Sequence, residues 1–349
     1  MASMVGGLDL HRGQITFELA DAASGEVWRG RLWSPDRQRV RRWLAEEVAP
    51  RAQGGEVEVA VEGCTGWRFV AEEITAAGFG VQVAEPAETM ARRGRKRRAK
   101  TDRADAALLR QLVAAGDVPQ SWIPPPIILE WRERVGLYMT LAEQRTAWVQ
   151  RIHAECYQHG VAVPEAEIRS PTTRSWLQGA TLELSAAARQ RLATAYCMID
   201  ALDAQAQPLK KQLTVFGTHQ PACRTLAATH YGIGGLLAVA IWSELGDCRR
   251  FSRSDQAVRH SGLDITVDQS DRRRAHGHLS RQGSPLLRWA LFEAAKNSSR
   301  RTAPDHPYYA AVQDRHDGKI ATLSIARKLA RRCYHTLRAL DPPEVYALP

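Results

Sequence analysis

Valine recurs at every second position over residues 56–62, where Val57, Val59 and Val61 fall on one face. Successive side chains of a strand point to opposite faces, so this period of two predicts a β-strand. Other strand-like and helix-like runs surround it. The strands are predicted at 5–10, 14–19, 26–32 and 80–83, and the helices at 35–47, 66–77 and 101–115. Short segments containing Gly separate the first three strands and suit hairpin turns.

The order of these elements indicates a fold class. Three strands joined by hairpins, followed by alternating strands and helices, is the order of a ribonuclease-H-like sheet. Other α/β folds share parts of this order. We therefore predict an α/β domain with an RNase-H-like sheet over residues 1–118.

The apolar pattern changes after the three prolines at 124–126, and larger side chains then recur at spacings of four and three. These positions are Trp131, Val135, Tyr138, Ala142, Arg145, Val149, Ile152 and Cys156, and later Leu192, Ala195, Ile199, Leu202, Ala206, Leu209 and Leu213. The spacing is typical of a coiled coil or helical hairpin, although an ordinary core-facing helix gives a similar pattern. We predict a helical or coiled-coil dimerisation segment over 119–217 and a mainly helical C-terminal domain over 218–349, so that the fold class is α/β plus all-α.

The charge of the 349-residue chain favours a polyanionic partner, because its formal net charge is +10. Charge alone does not distinguish nucleic acid from an anionic membrane. No apolar run approaches the length of about 20 residues that a membrane-spanning helix needs, and we expect no membrane partner. No signal peptide is visible. The six cysteines form no CxxC pair, which argues against a zinc knuckle or disulfide framework and favours a cytoplasmic protein.

Four carboxylates are candidates for a metal site. Asp9 lies in the first strand, Glu62 ends the alternating strand, and Asp102 and Asp105 share one face at the start of a predicted helix. Two like charges 4 Å apart cost about 1 kcal/mol in water and about 4 kcal/mol at an effective dielectric of 20. Such a cluster needs protons or divalent cations, and oxygen ligands suit Mg²⁺ or Mn²⁺, with two ions able to act on one phosphodiester. Alternatively, Asp102 is an N-cap, Asp105 belongs to a first helical turn, and Glu62 is a solvated strand end.

Two groups of basic residues are candidates for binding nucleic acid. The first adjoins the Asp102 pair and the second lies in the C-terminal part of the chain. The predicted contacts are Arg95, Lys96, Arg97, Arg98 and Lys100, and then Arg272, Arg273, Arg274, Arg281 and Arg288. A run of charges is more commonly a solvated loop, but the first run leads directly into the predicted metal site, where a phosphate backbone would lie.

Together these residues resemble the transposase/recombinase family of the "one-ten" bacterial insertion sequences, a DEDD group with a RuvC-like domain. Gly7-Leu-Asp-Leu-His11, Val61-Glu-Gly-Cys-Thr-Gly-Trp67 and Lys100-Thr-Asp-Arg-Ala-Asp-Ala106 are similar to its three acidic motifs. In the C-terminal part, Ser261-Gly-Leu263 and Gly277-His-Leu-Ser-Arg-Gln-Gly283 are similar to its later motifs.

The resemblance implies roles for five residues. Asp9, Glu62, Asp102 and Asp105 take the places of the catalytic metal ligands, with Mg²⁺ or Mn²⁺ as cofactor. Ser270, seven residues beyond Leu263, takes the place of the nucleophilic serine. Its neighbour Asp271 replaces the Gly of many relatives, and sequence physics alone does not choose Ser270 over Ser280 or Ser284.

The resemblance also implies an activity and partners. A serine–DNA phosphodiester intermediate would connect cleavage and exchange of donor and target DNA, within a homo-oligomer. A structured noncoding RNA encoded beside the gene would guide the reaction. Two alternatives remain open at this stage. One is a RuvC-like nuclease or junction resolvase that uses metal-activated water, and the other is a non-catalytic nucleic-acid-binding protein.

Overall fold

A computed structural model describes residues 2–93, 101–163, 168–179, 184–265 and 277–346, together with the backbone of 269–270 and 273–274. The chain divides into two compact units, Met1–Ile123 and Pro124–Pro349. This division into two units does not test the three predicted domains and their roles, so the domains 1–118, 119–217 and 218–349 stay predictions. Within the described residues, every helix is too short or too polar to cross a bilayer.

The first unit is built on a six-stranded mixed sheet, which confirms the predicted α/β region. Its order is β3-β2-β1-β4-β5-β6, with parallel pairing of β1 with β4 and of β4 with β5, and antiparallel pairing elsewhere. The strands are β1 (Met4–Leu10), β2 (Gln14–Asp21), β3 (Val27–Trp33), β4 (Val57–Glu62), β5 (Gly80–Ala84) and β6 (Gln120–Ser121). The hairpin connections of the first three strands were predicted correctly.

The helices of this unit cover both faces of the sheet. They are α1 (Arg37–Trp43), α2 (Ala49–Ala52), α3 (Trp67–Ala76), α4 (Pro86–Ala91) and α5 (Asp102–Ala115). One apolar core contains Leu8 and Val61 with Val40 and Ile74, while a second contains Val5 with Leu109 of α5. Because strand side chains alternate, Asp9 shares the α5 face with Val5.

The second unit is mainly helical in its described residues, as predicted. Its helices are α6 (Pro126–Gln158), α7 (Pro171–Gln178), α8 (Ala186–His219), α9 (Pro221–Thr229), α10 (Gly235–Leu245), α11 (Ser254–His260), α12 (Pro285–Lys296), α13 (His306–Arg315), α14 (Gly318–Ala339) and α15 (Pro342–Tyr346). The long helices α6 and α8 pack against each other. A short hairpin of β7 (Gln269–Ser270) and β8 (Arg273–Arg274) precedes α12. The coiled-coil and dimerisation interpretation stays a prediction.

Candidate metal centre

The site begins with a glycine that brings α5 onto the central strand. A Cβ atom at Gly7 would lie 2.1 Å from the carbonyl oxygen of Ala106 and 2.4 Å from the backbone nitrogen of Arg110. No side chain fits in that space, so the backbone of α5 lies directly on β1. Asp9 is two residues farther along the same face of the strand. The close approach therefore brings the first turn of α5 beside Asp9.

Helix α5 starts with a capped first turn that carries both of its predicted metal ligands. The hydroxyl of Thr101 accepts a hydrogen bond from the backbone N–H of Ala104 at 3.2 Å, and Asp102 and Asp105 lie in the first turn. Thr101 is therefore the N-cap, and the alternative that gave this role to Asp102 is wrong. Carboxylates are favoured in the first turn by the helix dipole.

Three side chains converge at the end of β1. His11 Nε2 lies 3.1 Å from Asp9 Oδ2 and 3.5 Å from Asp102 Oδ1. Gln14 Nε2 donates a hydrogen bond of 2.7 Å to Asp102 Oδ2, which leaves the other oxygen of this carboxylate facing His11. One ligand atom from each of Asp9, His11 and Asp102 lies within 4.8 Å of the other two.

Glu62 lies on the neighbouring strand, although it is not part of this group of three. Leu8 pairs with Val61 in the parallel register of β1 and β4, and Asp9 and Glu62 are the next residues of these two strands. The thiol of Cys64 has a pKa above its usual value, first because of burial and then because of the charges of Glu62 and Asp9. Both carboxylates thus act electrostatically on the same small region.

Asp105 is engaged by a cation from the segment after α4. Arg93 Nη2 lies 2.5 Å from Asp105 Oδ1, and Asp105 is buried. Of the four predicted carboxylates, the structure therefore brings Asp9 and Asp102 into one group. It places Glu62 on the strand next to that of Asp9 and pairs Asp105 with an arginine.

The electrostatics of the site favour binding of a cation. Burial raises the pKa of Asp9, and the negative charges of Asp105 and Asp102 raise it further, while His11 acts in the opposite direction. A buried carboxylate next to other carboxylates gains stability when a cation replaces its proton. Two carboxylate oxygens and one imidazole nitrogen within reach of one another form a donor set that fits a divalent ion.

Sequence reasoning missed His11 as a member of this group. The signal was present in the sequence, because Asp9 and His11 are separated by one residue and side chains at this spacing share a face of a strand. An exposed histidine at a strand end has many other uses, and only the approach of Asp102 makes this one part of a cluster.

The predicted basic residues are only partly within the described chain. Arg95, Lys96, Arg97, Arg98, Lys100 and Arg272 lie outside the described residues. Ser270 belongs to β7 and pairs in backbone register with Arg273 of β8, next to Arg274; for these residues only the backbone is described. The structure therefore describes no side-chain contact between Ser270 and the arginines around it.

Backbone contacts join the segment before the β7–β8 hairpin to the segment after it, and we call this region the base of the hairpin. An isolated bridge joins Ile265 to Leu279, and the backbone N–H of Ser280 donates to the carbonyl of Asp264 at 2.9 Å. The hydroxyl of Ser280 also donates to the Asp264 carboxylate. The hydroxyl of Ser284 accepts a 3.0 Å hydrogen bond from Leu287 N–H and caps α12. Both alternative serines thus have structural partners.

Two further predicted basic residues lie next to this base. Arg281 is exposed, with a left-handed backbone φ of 53°. Arg288 donates from Nη1 to the carbonyl of Ser261 at 3.1 Å. Burial lowers the pKa of Arg288, and the positive charge of Arg281 lowers it further. Two guanidinium groups near each other favour an anion such as a phosphate.

Comparison with known families gives two matches. The family model for DEDD transposases of the IS110 type, described as "Transposase", matches residues 6–156. The model described as "Transposase IS116/IS110/IS902 family" matches residues 224–310. The first match contains the Asp9–His11–Asp102 group, the second contains the β7–β8 hairpin, and together they cover about two thirds of the chain. A comparison with curated proteins finds no match.

Proposed function

Because this chain belongs to the IS110 family of transposases, we propose that it cleaves and exchanges DNA strands through a divalent-metal site and a serine nucleophile. The observation that carries the proposal is the convergence of Asp9 and Asp102, from segments 93 residues apart in sequence number, on one nitrogen of His11. DNA is the substrate class of a transposase. The serine intermediate, the metal and the guide RNA are the parts that experiments must test.

An RNase-H-like fold for the first unit is part of this proposal. Its support is the strand order β3-β2-β1-β4-β5, with an antiparallel first half and parallel pairing of β1, β4 and β5. In this arrangement β1 and β4 are neighbours, and α5 covers the face of the sheet on which Asp9 lies. Acidic residues near the ends of the two strands and at the start of α5 would then line one metal site.

The metal ligands proposed here are Asp9, Glu62, Asp102 and Asp105. Asp9 and Asp102 would hold the ion through the oxygens that now face His11, and Gln14 would keep Asp102 oriented. Mg²⁺ or Mn²⁺, as two ions in the full site, would stabilise charge on the attacking and leaving oxygens of a phosphodiester when bound. The burial of Asp9 keeps competing water away from one side of the site.

Ser270 is the proposed nucleophile. A serine hydroxyl is a weak nucleophile and needs a base or a cation to stabilise its alkoxide. As Ser270 Oγ forms a bond to phosphorus, the bond from phosphorus to a sugar oxygen breaks. Serine loses its proton, and the released sugar oxygen takes up a proton to become a hydroxyl. The phosphodiester energy is retained for rejoining.

The proposed partners are donor DNA, target DNA and a structured guide RNA, and the protein would act as a homo-oligomer. Base pairing with the RNA would select sequence, while the protein would contact backbone and shape. The exposed Arg281 and the neighbouring Arg288 are the described residues that support phosphate contacts at the hairpin.

Trapping of the covalent intermediate tests the proposal. Wild-type protein, the flanking noncoding RNA, Mg²⁺ and a nicked DNA substrate should yield a protein–DNA adduct on a denaturing gel. Ser270→Ala should lose both the adduct and strand cleavage. Ser299→Ala is the matched control, because Ser299 is an exposed serine of the same unit. Cleavage at the normal rate by Ser270→Ala would instead support a nuclease that uses metal-activated water.

A further inference from the structure

The placement of His11 carries an inference about which metal the site prefers. Carboxylate oxygens from β1 and from α5 converge on a single ring nitrogen, Nε2, at 3.1 Å for Asp9 and 3.5 Å for Asp102. A neutral imidazole with a proton on Nε2 can donate it to only one strong acceptor at a time. The two carboxylates therefore place more hydrogen-bond acceptors near Nε2 than its single proton can satisfy.

A metal ion resolves that imbalance. In the tautomer with the proton on Nδ1, Nε2 presents a lone pair to the same space that the two carboxylates face. Ligand atoms about 2.1 Å from one ion are about 3 Å apart when adjacent and about 4.2 Å apart when opposite. The three ligand atoms all lie within 4.8 Å of one another, so small side-chain adjustments bring them to these separations.

The side chain of His11 faces solvent, whereas that of Asp9 is buried. The side chain of His11 is 53% exposed and that of Asp9 is 7% exposed. The imidazole thus forms the solvent side of the group, and the buried carboxylate forms its floor. A half-exposed ring can rotate to admit an ion without disturbing the packing of β1.

We infer that His11 is a nitrogen ligand of the metal ion held by Asp9 and Asp102, and that it makes the site prefer Mn²⁺ to Mg²⁺. This inference rests on the proposed metal site and adds to it the choice of ion. Mg²⁺ binds oxygen almost exclusively, while imidazole binds first-row transition ions well. Mn²⁺ accepts the same carboxylates and also gains from the nitrogen.

A positioning role for His11 would have different consequences. If His11 only hydrogen-bonds to Asp9 and keeps it oriented, its removal should lower the affinities for Mg²⁺ and Mn²⁺ by similar factors. If His11 is a ligand, its removal should lower mainly the affinity for Mn²⁺. Removal of a residue that merely orients a ligand already costs about 10–100-fold in metal affinity, so loss of a direct ligand should cost at least about tenfold.

The test measures binding of MnCl₂ and MgCl₂ to the full-length protein by calorimetry, without nucleic acid and without an activity assay. Wild type should bind Mn²⁺ at least about tenfold more tightly than Mg²⁺, and His11→Ala should lose at least about tenfold in Mn²⁺ affinity with little change for Mg²⁺. His153→Ala is the matched control, since His153 is an exposed histidine outside the site.

Spin-echo spectroscopy of bound Mn²⁺ gives a second readout. Wild type should show coupling to a ¹⁴N nucleus, and His11→Ala should lose it while His153→Ala keeps it. The inference is overturned if His11→Ala loses affinity for Mn²⁺ and Mg²⁺ by the same factor. It is also overturned if nitrogen coupling persists in this variant. Asp9→Asn separates this failure from failure of the metal site itself, because unchanged Mn²⁺ binding in Asp9→Asn contradicts the proposed function.

Discussion

Arg93 and Asp105 form an ion pair in which Nη2 of the arginine lies 2.5 Å from Oδ1 of the aspartate. Both side chains are largely removed from solvent, with exposed fractions of 27% and 10%. The Nε atom of Arg93 is buried and has no hydrogen-bond partner among the residues that the structure describes. Arg93 therefore supplies the positive charge that balances Asp105.

Replacement of Arg93 by Gln should increase metal affinity and lower the stability of the metal-free protein. Without the guanidinium, the charge of Asp105 is uncompensated, and this charge already acts with that of Asp102 to raise the pKa of Asp9 after burial. An added cation relieves this repulsion. The difference in melting temperature with and without MnCl₂ should be larger for Arg93→Gln than for wild type.

The control for this change is Arg92→Gln. Arg92 is the adjacent residue, but Nε pairs with Asp117 Oδ2 at 3.0 Å, outside the site. Its metal-induced shift in melting temperature should match that of wild type. If Arg93→Gln shows the same metal-induced shift in melting temperature as wild type, the charge of Arg93 does not affect metal binding.

Gly7→Ala should destabilise the first unit and weaken metal binding together. The added Cβ would lie 2.1 Å from the carbonyl oxygen of Ala106, so α5 must move away from β1. Overpacking of this kind typically costs about 1–3 kcal/mol, and the movement separates Asp102 from Asp9. Urea unfolding and calorimetry with MnCl₂ measure the two effects.

Gly13→Ala provides the comparison for Gly7→Ala, because no atom lies within 4 Å of a Cβ built at Gly13. This variant should unfold close to the wild-type urea concentration and bind metal normally. If Gly7→Ala behaves in the same way, the close approach of α5 to β1 does not set the geometry of the site.

Glu73 should give the first unit a contribution to stability that disappears in acid. Its carboxylate is buried and accepts hydrogen bonds from Arg41 at 2.9 Å and Arg37 at 3.0 Å. These hydrogen bonds lower its pKa below the usual value of 4.5. The stabilisation is therefore complete above pH 4.5 and is lost as pH falls through the lower native pKa.

Melting temperatures of Glu73→Gln between pH 7 and pH 3 test this expectation. The variant should melt below wild type at pH 7, and the difference should shrink as the wild-type carboxylate becomes protonated. Glu47→Gln is the control, since the Glu47 side chain is 54% exposed and its distance to Arg51 is 3.9 Å. A difference that stays constant across this pH range would contradict the prediction.

Asp102→Asn should abolish strand exchange and leave DNA binding mostly intact. The amide keeps the shape of the side chain but loses the charge that a divalent ion needs. Gel assays of exchange and fluorescence anisotropy of labelled DNA separate the two properties. Asp314→Asn, an exposed aspartate outside the site, is the control. Unchanged exchange activity in Asp102→Asn refutes the metal site, and loss of exchange together with binding points to a failure of folding.

Arg281→Gln should weaken DNA binding in a manner that depends on salt. Each lost phosphate contact should reduce the slope of log affinity against log salt by about one. Arg281 is exposed, whereas Arg288 already donates to the carbonyl of Ser261, so Arg281→Gln should change the slope more than Arg288→Gln. Anisotropy titrations from 50 to 200 mM salt measure the slopes, with Arg315→Gln as an exposed control. Equal slopes for Arg281→Gln and wild type would exclude a phosphate contact.

The local pattern of the chain was sufficient to predict most elements of the first unit. The alternation at Val57, Val59 and Val61 identified β4, and glycine-containing turns identified the hairpins of β1, β2 and β3. These features depend on residues that are near each other in sequence, since strand and helix periods are local properties. The spacing of Asp102 and Asp105 likewise predicted that both carboxylates begin one helix.

Tertiary packing decided which of those carboxylates meet. Asp9 faces Asp102 because a glycine admits α5 onto β1. Glu62 lies on the strand next to that of Asp9 because β1 and β4, with 46 residues between them, pair in parallel. The sequence by itself determined the strands, the helix and the acidic residue types. The charge pairs between separate segments, His11 with Asp102 and Arg93 with Asp105, depend on tertiary contacts. Local periodicity carries no information about such distances.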